Sequence, residues 1–321
     1  MLLGADPVDL ERLAVTHDVC GRLLADVRTR LRAADRAWWT GPAARRWWHQ
    51  VDSTVVPLLV SAGARSNAAS RRLRARADGQ RRASLPDPPR AVLLRDPSGD
   101  GRLVTVTGDP AAEVVVVLVP GVGTDLGDAP RLSRDAEEVW RHLAARAERA
   151  PRDAPEVAVM SWLGYDPPDH VPLGIDRRPA ARGAQDLRRQ VAELRAGGAD
   201  RVVVVGHSYG ALVATAASEL GMGADELVVL GAPGLGVADL AALRLADGAD
   251  LWAATARLDP ISLVSRLGVV HGPDPADVAR SLPTSLEGHS SYLADPVLLA
   301  ALAEVVVADP IPSAHRRARG Q

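Results

Sequence analysis

A serine between two glycines is the strongest candidate for a reactive group in this sequence. Residues 206–210 read Gly-His-Ser-Tyr-Gly and connect an apolar run at 201–205 to an alanine-rich stretch. This G-x-S-x-G pattern between a strand and a helix predicts a sharp turn that lifts the serine hydroxyl above the sheet edge. Glycine is required at both ends because a side chain there would collide with neighbouring backbone. We therefore predict that Ser208 is a nucleophile.

The acid that supports such a serine is expected after it in the chain. A serine hydroxyl becomes a good nucleophile only when an imidazole takes its proton and an acid orients that imidazole. Asp259 is the first carboxylate after the apolar run 251–256, so it is the predicted acid. Asp247 and Asp250 precede that run and Asp225 precedes an earlier one, which puts these three at the opposite ends of their strands.

Three histidines follow the predicted acid, namely His271, His289 and His315. His315 lies in a basic tail, where disorder is expected. His271 follows two valines that could form a short last strand, so it competes for the role of general base. His289 lies on a loop before the final helical stretch, where the general base is expected, and we favour it. His207, beside the nucleophile, is expected to pack rather than to act as a base.

Two backbone amides are candidates for an oxyanion hole. Attack on a carbonyl builds negative charge on oxygen, which preorganised N–H donors stabilise. The first predicted donor is the amide of Tyr209, directly after the nucleophile. The second is the amide of Val122 in the loop 120–125, Pro-Gly-Val-Gly-Thr-Asp, with Gly123 as the next candidate. The glycines of this loop do not make a dinucleotide-binding turn, because the third glycine and the ribose-binding acid of that motif are missing.

Short apolar runs alternate with helical stretches after residue 90. Such runs without polar alternation are typical of strands buried on both faces. The predicted strands are 92–94, 103–106, 114–119, 157–161, 202–205, 227–230 and 251–255, and the predicted helices between them are 132–149, 180–195 and 211–220. The alternation predicts an α/β fold in which helices cover both faces of a mostly parallel sheet.

The first 85 residues show helical periodicity instead. Apolar positions recur every three or four residues over 10–38 and again over 44–73, as in two helices that pair. The predicted stripe of the first helix is Leu10, Leu13, His17, Cys20, Leu24, Val27, Leu31, Ala34 and Trp38. Pro57 is expected to kink the second helix. A Pro-, Gly- and Arg-rich linker follows, so we predict a helical hairpin at 1–85, an α/β domain at 86–312 and a disordered basic tail at 313–321.

The composition of the chain excludes several classes of protein and several kinds of site. With 47% hydrophobic and 24% charged residues among 321, the chain is expected to fold around a sizeable core. A formal net charge of -2 gives no overall electrostatic attraction to nucleic acid. We expect no integral membrane segment and no signal peptide, since no long apolar run occurs and the start is not basic. The expected location is the cytoplasm, with export without a cleaved signal as the alternative. The single cysteine, Cys20, excludes an intrachain disulfide or a multi-cysteine zinc site.

Five segments between residues 90 and 310 together resemble a known group of proteins. They are 119–124 (Val-Pro-Gly-Val-Gly-Thr), 161–168 (Ser-Trp-Leu-Gly-Tyr-Asp-Pro-Pro), 206–210, 259–261 (Asp-Pro-Ile) and 288–292 (Gly-His-Ser-Ser-Tyr). They resemble actinobacterial α/β-hydrolase domains of unknown function, relatives of cutinase-like and lipase-like serine hydrolases. The resemblance implies the α/β-hydrolase fold and the triad Ser208, Asp259 and His289. It also implies that Trp162 and Tyr165 form a wall of the substrate pocket, the alternative being ordinary core packing.

The helical hairpin resembles the WXG-type hairpins of small proteins that the type VII pathway exports, because Trp39-Thr40-Gly41 falls at its turn. Such proteins often carry a Tyr-x-x-x-acid export signal after the second helix, whereas this chain has no tyrosine before Tyr165. The resemblance implies that the hairpin serves as an interaction or lid element and provides a surface for a protein partner.

These features predict hydrolysis of a carboxylic ester or thioester, from a small molecule or a lipid, through an acyl-serine intermediate without a metal or organic cofactor. Two alternatives remain open. An acyltransferase would use the same residues but pass the acyl group to an alcohol. A type VII secretion-associated binding protein would keep the fold without the chemistry, since fold alone does not prove activity.

Overall fold

The computed structural model describes residues 6–149, 155–170, 176–246, 248–267 and 271–307. The chain forms two compact units, Met1–Leu85 and Pro86–Gln321. Asp247, His315 and the predicted tail at 313–321 lie outside the described residues.

The described residues of the first unit form three α-helices. Helix α1 (Pro7–Ala33) ends before the turn that holds the Trp-Thr-Gly sequence, and α2 (Pro42–Gln50) follows that turn. A π-helical turn (Val51–Val55) joins α2 directly to α3 (Val56–Ser84). The irregularity expected near Pro57 takes the form of this π-helical turn, since proline has no N–H to donate to the preceding turn. Helices α1 and α3 pack together along their length.

The interface between α1 and α3 differs from the predicted apolar stripe. Leu13, Cys20 and Val27 are exposed, and Trp38 lies in the turn beyond the end of α1. Apart from Val56 at the start of α3, the fully buried residues of the two helices are small: Ala14, Gly21, Ser66, Ser70 and Ala77. A Cβ on Gly21 would lie 2.2 Å from the Asn67 Oδ1 atom. Small residues let the two backbones approach closely, and only part of the predicted stripe meets α3. His17 Nδ1 lies 3.1 Å from the Ser66 Oγ atom, and Leu24 is half-buried.

In the second unit, the described residues form one sheet of eight strands, in the order β1-β2-β4-β3-β5-β6-β7-β8. The strands are β1 (Arg90–Asp96), β2 (Arg102–Thr107), β3 (Val114–Val119), β4 (Val157–Leu163), β5 (Arg201–His207), β6 (Glu226–Leu230), β7 (Asp250–Ala254) and β8 (Arg280–Ser281). β1 and β2 pair antiparallel with their neighbours, and every pair from β4 across to β8 is parallel. The predicted α/β fold with a mostly parallel sheet is confirmed.

Helices cover both faces of this sheet. They are α4 (Ala129–Ala147), α5 (Arg178–Ala196), α6 (Tyr209–Glu219), α7 (Ile261–Leu267), α8 (Pro275–Val278) and α9 (Pro296–Val306). α5 and α6 contribute to the apolar core on one face, and α4 and α9 contribute to the core on the other. In the described part of the chain, no helix is both long and apolar enough to cross a membrane.

Strand β1 departs from the expected burial on both faces. Val92, Leu93 and Leu94 are exposed. The reason is position, because in the described part of the chain β1 lies at one edge of the sheet, beside β2. An apolar run in the sequence therefore does not distinguish an edge strand from a central one.

A chain truncated to begin at Pro86 is expected to fold by itself, because the three apolar clusters of the second unit consist entirely of residues from that unit. Circular dichroism should show a cooperative thermal transition, and a fluorophosphonate probe should still label Ser208. Aggregation of the truncated chain together with loss of labelling would show that the second unit needs the helices of the first.

Candidate active site

The turn between β5 and α6 presents Ser208 at the carboxyl end of the sheet. Its backbone has φ 55° and ψ -124°, a strained conformation for a residue with a side chain. A Cβ on Gly206 would lie 2.6 Å from the Ala211 Cα atom. A Cβ on Gly210 would lie 2.2 Å from the Val119 carbonyl oxygen. The predicted requirement for glycine on both sides of the serine is confirmed.

The imidazole of His289 lies between the side chains of Ser208 and Asp259. Its Nε2 atom is 2.8 Å from the Ser208 Oγ atom. Its Nδ1 atom is 3.1 Å from Oδ1 and 3.0 Å from Oδ2 of Asp259. Because an ionised carboxylate only accepts, Nδ1 carries the proton and Nε2 is left to accept the serine hydroxyl proton. The three side chains therefore form one chain of hydrogen bonds, an arrangement in which a serine, a histidine and an aspartate can act as nucleophile, base and acid.

The carboxylate of Asp259 is held by further donors. The Tyr292 hydroxyl donates to Oδ2 at 2.6 Å, and the Ile261 amide donates to Oδ1 at 2.9 Å. Burial raises the pKa of Asp259, but the hydrogen bonds from His289, Tyr292 and Ile261 outweigh burial, and the net pKa is lowered. The acid is thus kept ionised beside the imidazole.

Tyr292 is a site residue that the sequence reasoning missed. Its hydroxyl accepts a hydrogen bond from the Ala256 amide at 2.9 Å while it donates to Asp259. Burial is the largest cause that raises the pKa of Tyr292, so the hydroxyl stays protonated and able to donate. The available signal was its place in the segment 288–292, three residues after His289.

His207, the last residue of β5, holds the backbone of the loop that carries His289. Its Nε2 atom lies 2.8 Å from the His289 carbonyl oxygen, and the two rings are 4.9 Å apart between centroids. Burial, and next the proximity of His289, lower the pKa of His207 to about 4. The neutral ring therefore donates its Nε2–H to that carbonyl. The sequence predicted a packing residue here, and the structure adds this hydrogen bond.

The loop after β3 passes directly beside the nucleophile. A Cβ on Gly121 would lie 2.8 Å from the Ser208 Cβ atom and 3.2 Å from its Oγ atom. The Gly123 amide donates to the Pro168 carbonyl at 2.9 Å, which fixes the far side of the loop. Val122 lies between these glycines, and Tyr209 begins α6, where the first amides have no carbonyl acceptor within the helix. The role of the Val122 and Tyr209 amides as oxyanion donors stays a prediction.

Trp162 and Tyr165 are packed in the core, which is the alternative to a pocket wall that the sequence left open. Each is only 2% exposed, and their rings stack with centroids 6.0 Å apart. Both belong to the apolar cluster on the face that α5 covers. A Cβ on Gly183 of α5 would lie 2.8 Å from the Tyr165 Cβ atom, so this helix packs tightly on the tyrosine. The Tyr165 hydroxyl donates to the Pro120 carbonyl at 2.7 Å and thereby supports the loop after β3.

A cavity of about 920 Å³ opens onto Ser208. Val122, His207 and His289 line it together with residues from α4, α7 and the turn Tyr292–Ala294. His271, the competing histidine of the sequence, also lines this cavity and is buried. The hydrogen bonds to Ser208 and Asp259, however, are made by His289.

Acidification should destabilise the fold partly through His207. Its pKa is about 4 in the folded chain and about 6.5 when unfolded, so the folded state binds fewer protons between these values. Stability is therefore present above about pH 6.5 and is lost as the pH falls toward 4. His207→Gln keeps an N–H donor but does not titrate. From pH 7 to pH 4.5 the melting temperature of this variant should fall several degrees less than that of the parent. Equal falls in the two proteins would show that His207 is not a neutral buried imidazole.

The comparisons with known proteins agree with this architecture. Residues 96–269 match the profile of the alpha/beta hydrolase family, a stretch that includes Ser208 and Asp259 and ends before His289. Uncharacterized protein Rv2079 of Mycobacterium tuberculosis is 34% identical over 176 residues, which cover 53% of this chain and 26% of that protein. Uncharacterized protein Mb0988c of Mycobacterium bovis is 30% identical over 158 residues, which cover 46% of this chain and 59% of that protein. The chain thus matches less than two thirds of the length of either relative.

Two solved structures are also similar to this chain. The hyperthermophilic esterase from the archaeon Pyrobaculum calidifontis is 17% identical, with a TM-score of 0.43 over 74% of this chain and 89% of that one. The carboxylesterase EstE1, cloned from a metagenomic library, is 18% identical, with a TM-score of 0.43 over 74% of this chain and 98% of that one. Since the family profile covers more than half of its residues, the chain belongs to the alpha/beta hydrolase family.

Proposed function

We propose that this chain is a serine hydrolase that cleaves a carboxylic ester or thioester through an acyl-serine intermediate. The observation that carries the proposal is the position of His289, whose two ring nitrogens contact Ser208 and Asp259 at 2.8 and 3.0 Å. A base within this distance of a hydroxyl can remove its proton as the oxygen attacks.

In the proposed first step, the Ser208 Oγ atom attacks the carbonyl carbon of the substrate while His289 Nε2 takes the hydroxyl proton. The imidazole becomes positively charged, and the ionised carboxylate of Asp259 stabilises it through the Nδ1–H bond. His289 then gives the proton to the departing alcohol or thiol. The carbon–oxygen or carbon–sulfur bond breaks, and the acyl group remains on the serine as an ester.

In the second step, water attacks the acyl-serine carbonyl with His289 again acting as the base. The proton returns to the Ser208 oxygen as the carboxylic acid leaves. Both steps place negative charge on the carbonyl oxygen. We assign the stabilisation of this charge to the amides of Tyr209 and Val122. The close approach of Gly121 to Ser208 supports this assignment, because the loop backbone lies within reach of the reacting carbon.

Loss of either the nucleophile or the base should abolish turnover. Ser208→Ala and His289→Ala are each expected to lower kcat for a p-nitrophenyl ester by roughly 10⁴-fold or more, because the members of a triad act as a unit. Ser98→Ala, in the loop between β1 and β2, is the matched control and should keep parental activity. The base assignment is wrong if His271→Ala abolishes turnover while His289→Ala stays near the parental rate.

Removal of one predicted oxyanion donor should have a smaller but distinct effect. Val122→Pro deletes the amide N–H and should lower kcat by about 10² to 10³-fold, the cost typical of one lost donor. Val122→Ala keeps the amide and should retain most of the activity. Circular dichroism checks that the proline variant is folded. Parental turnover by a folded Val122→Pro protein would place the second donor elsewhere, with Gly123 the next residue to test.

A further inference from the structure

The cavity beside Ser208 has the form of an acyl-binding chamber. Its volume of about 920 Å³ lies near the upper end of the roughly 300 to 1,000 Å³ usual for pockets that enclose a small ligand. An acetyl group on Ser208 would fill only a small part of this space. The chamber is therefore built for a larger group than the reacting carbonyl requires.

The walls of this chamber are mostly apolar. Leu118 and Val205, at the ends of β3 and β5, line it, and α4 contributes Leu132. All three side chains are buried in the fold. Leu293 lies on the turn Tyr292–Ala294, which packs against α4, and Val264 of α7 adds a further apolar side chain. Such walls bind aliphatic groups because burial of apolar surface removes it from water.

Several polar side chains of the lining are engaged with the protein itself. The Ser161 hydroxyl donates to the Leu132 carbonyl at 3.0 Å. The guanidinium of Arg131 contacts Asp128 at 3.0 Å and Asp135 at 3.3 Å, and all three residues line the chamber. Burial raises the pKa of Asp135, and Arg131 offsets part of that rise. Two carboxylates thus flank one cation, an arrangement that disfavours a negatively charged group on the substrate.

From the size, the apolar walls and the paired cation, we infer that the site takes esters or thioesters of uncharged aliphatic acids with chains of about eight carbons or more. The chain lies between α4 and the turn Tyr292–Ala294, with its carbonyl at Ser208. This inference rests on the proposed hydrolase function and adds the class of acyl group to it.

Chain length is tested with p-nitrophenyl acetate and octanoate, at concentrations below those at which the esters aggregate. Each buried methylene is expected to increase kcat/KM by up to about fourfold. The octanoate should therefore exceed the acetate by about a hundredfold or more even when burial is incomplete. Equal or lower kcat/KM for the octanoate would overturn the inference while acetate turnover still supported the hydrolase proposal. Absence of turnover with both esters and of fluorophosphonate labelling at Ser208 would overturn both.

Charge is tested with the p-nitrophenyl monoester of suberic acid, which has the length of the octanoate but ends in a carboxylate. Its kcat/KM should be at least about tenfold below that of the octanoate. The double variant Asp128→Asn, Asp135→Asn should narrow this difference because it removes two negative charges beside Arg131. A monoester that is hydrolysed as fast as the octanoate by the parent would show that Arg131 accepts an acid group and would overturn the uncharged class.

Two variants locate the acyl chain. Leu132→Trp and Leu293→Trp each fill part of the chamber and should lower the ratio of octanoate to acetate kcat/KM by about tenfold or more. Leu220→Trp, at the opposite end of α6 from Ser208, is the matched control and should leave the ratio unchanged. Labelling of Ser208 by a fluorophosphonate checks that each variant is folded, and Leu293 on its short turn is the alternative if the α4 variant does not fold. Folded chamber variants with the parental ratio would contradict the assigned path of the chain.

Discussion

The imidazole of His289 makes two hydrogen bonds at once, and the arrangement of the site depends on that bridge. Its distances of 2.8 Å to Ser208 and 3.0 Å to Asp259 are possible only when three separate segments are each held in place. The glycines on either side of Ser208 permit the tight turn that carries the serine. Tyr292 and the Ile261 amide fix the carboxylate, and His207 fixes the backbone of His289 itself. Loss of any of these supports would move one end of the bridge.

The parallel sheet makes this convergence possible. Ser208 follows β5 and Asp259 follows β7, so both emerge at the carboxyl edge, where α/β proteins place their ligand sites. The loop after β3 reaches the same edge because β3 pairs with β5 in parallel register. The valines of β3 and β5 are buried on both faces, and this rigid core holds the turns that carry the side chains. The cavity beside Ser208 is lined by residues near the ends of the same strands and by the first turns of α4.

Local patterns made much of this predictable. The G-x-S-x-G turn is specified by the five residues themselves, and the buried runs of valine specify the central strands. The order of the acid and the histidine after the serine pointed to Asp259, but the choice between His289 and His271 depends on loop paths that no local pattern encodes. In the structure, both histidines line one cavity, and it is His289 whose hydrogen bond to Ser208 is seen.

Other features could not be predicted from the sequence, because they depend on which face of a helix or strand is covered in the folded chain. The resemblance left Trp162 and Tyr165 as either a pocket wall or core packing, and in the structure they belong to the core cluster under α5. In the first unit, the fully buried residues of α1 are the small ones, Ala14 and Gly21, which hydrophobic periodicity does not reveal. The hydrogen bond from Tyr292 to Asp259 joins residues 33 positions apart, so only tertiary structure brings them together.

The central claim is that His289 activates Ser208, and the rate of covalent modification of Ser208 measures this most directly. A fluorophosphonate should add to the parent protein at one position, identified by mass spectrometry of peptides as Ser208. His289→Ala should slow that addition by several orders of magnitude while leaving the protein folded, because the hydroxyl then has no base to take its proton. Labelling of Ser208 at the same rate in the folded His289→Ala protein, or labelling at another residue, would contradict the account.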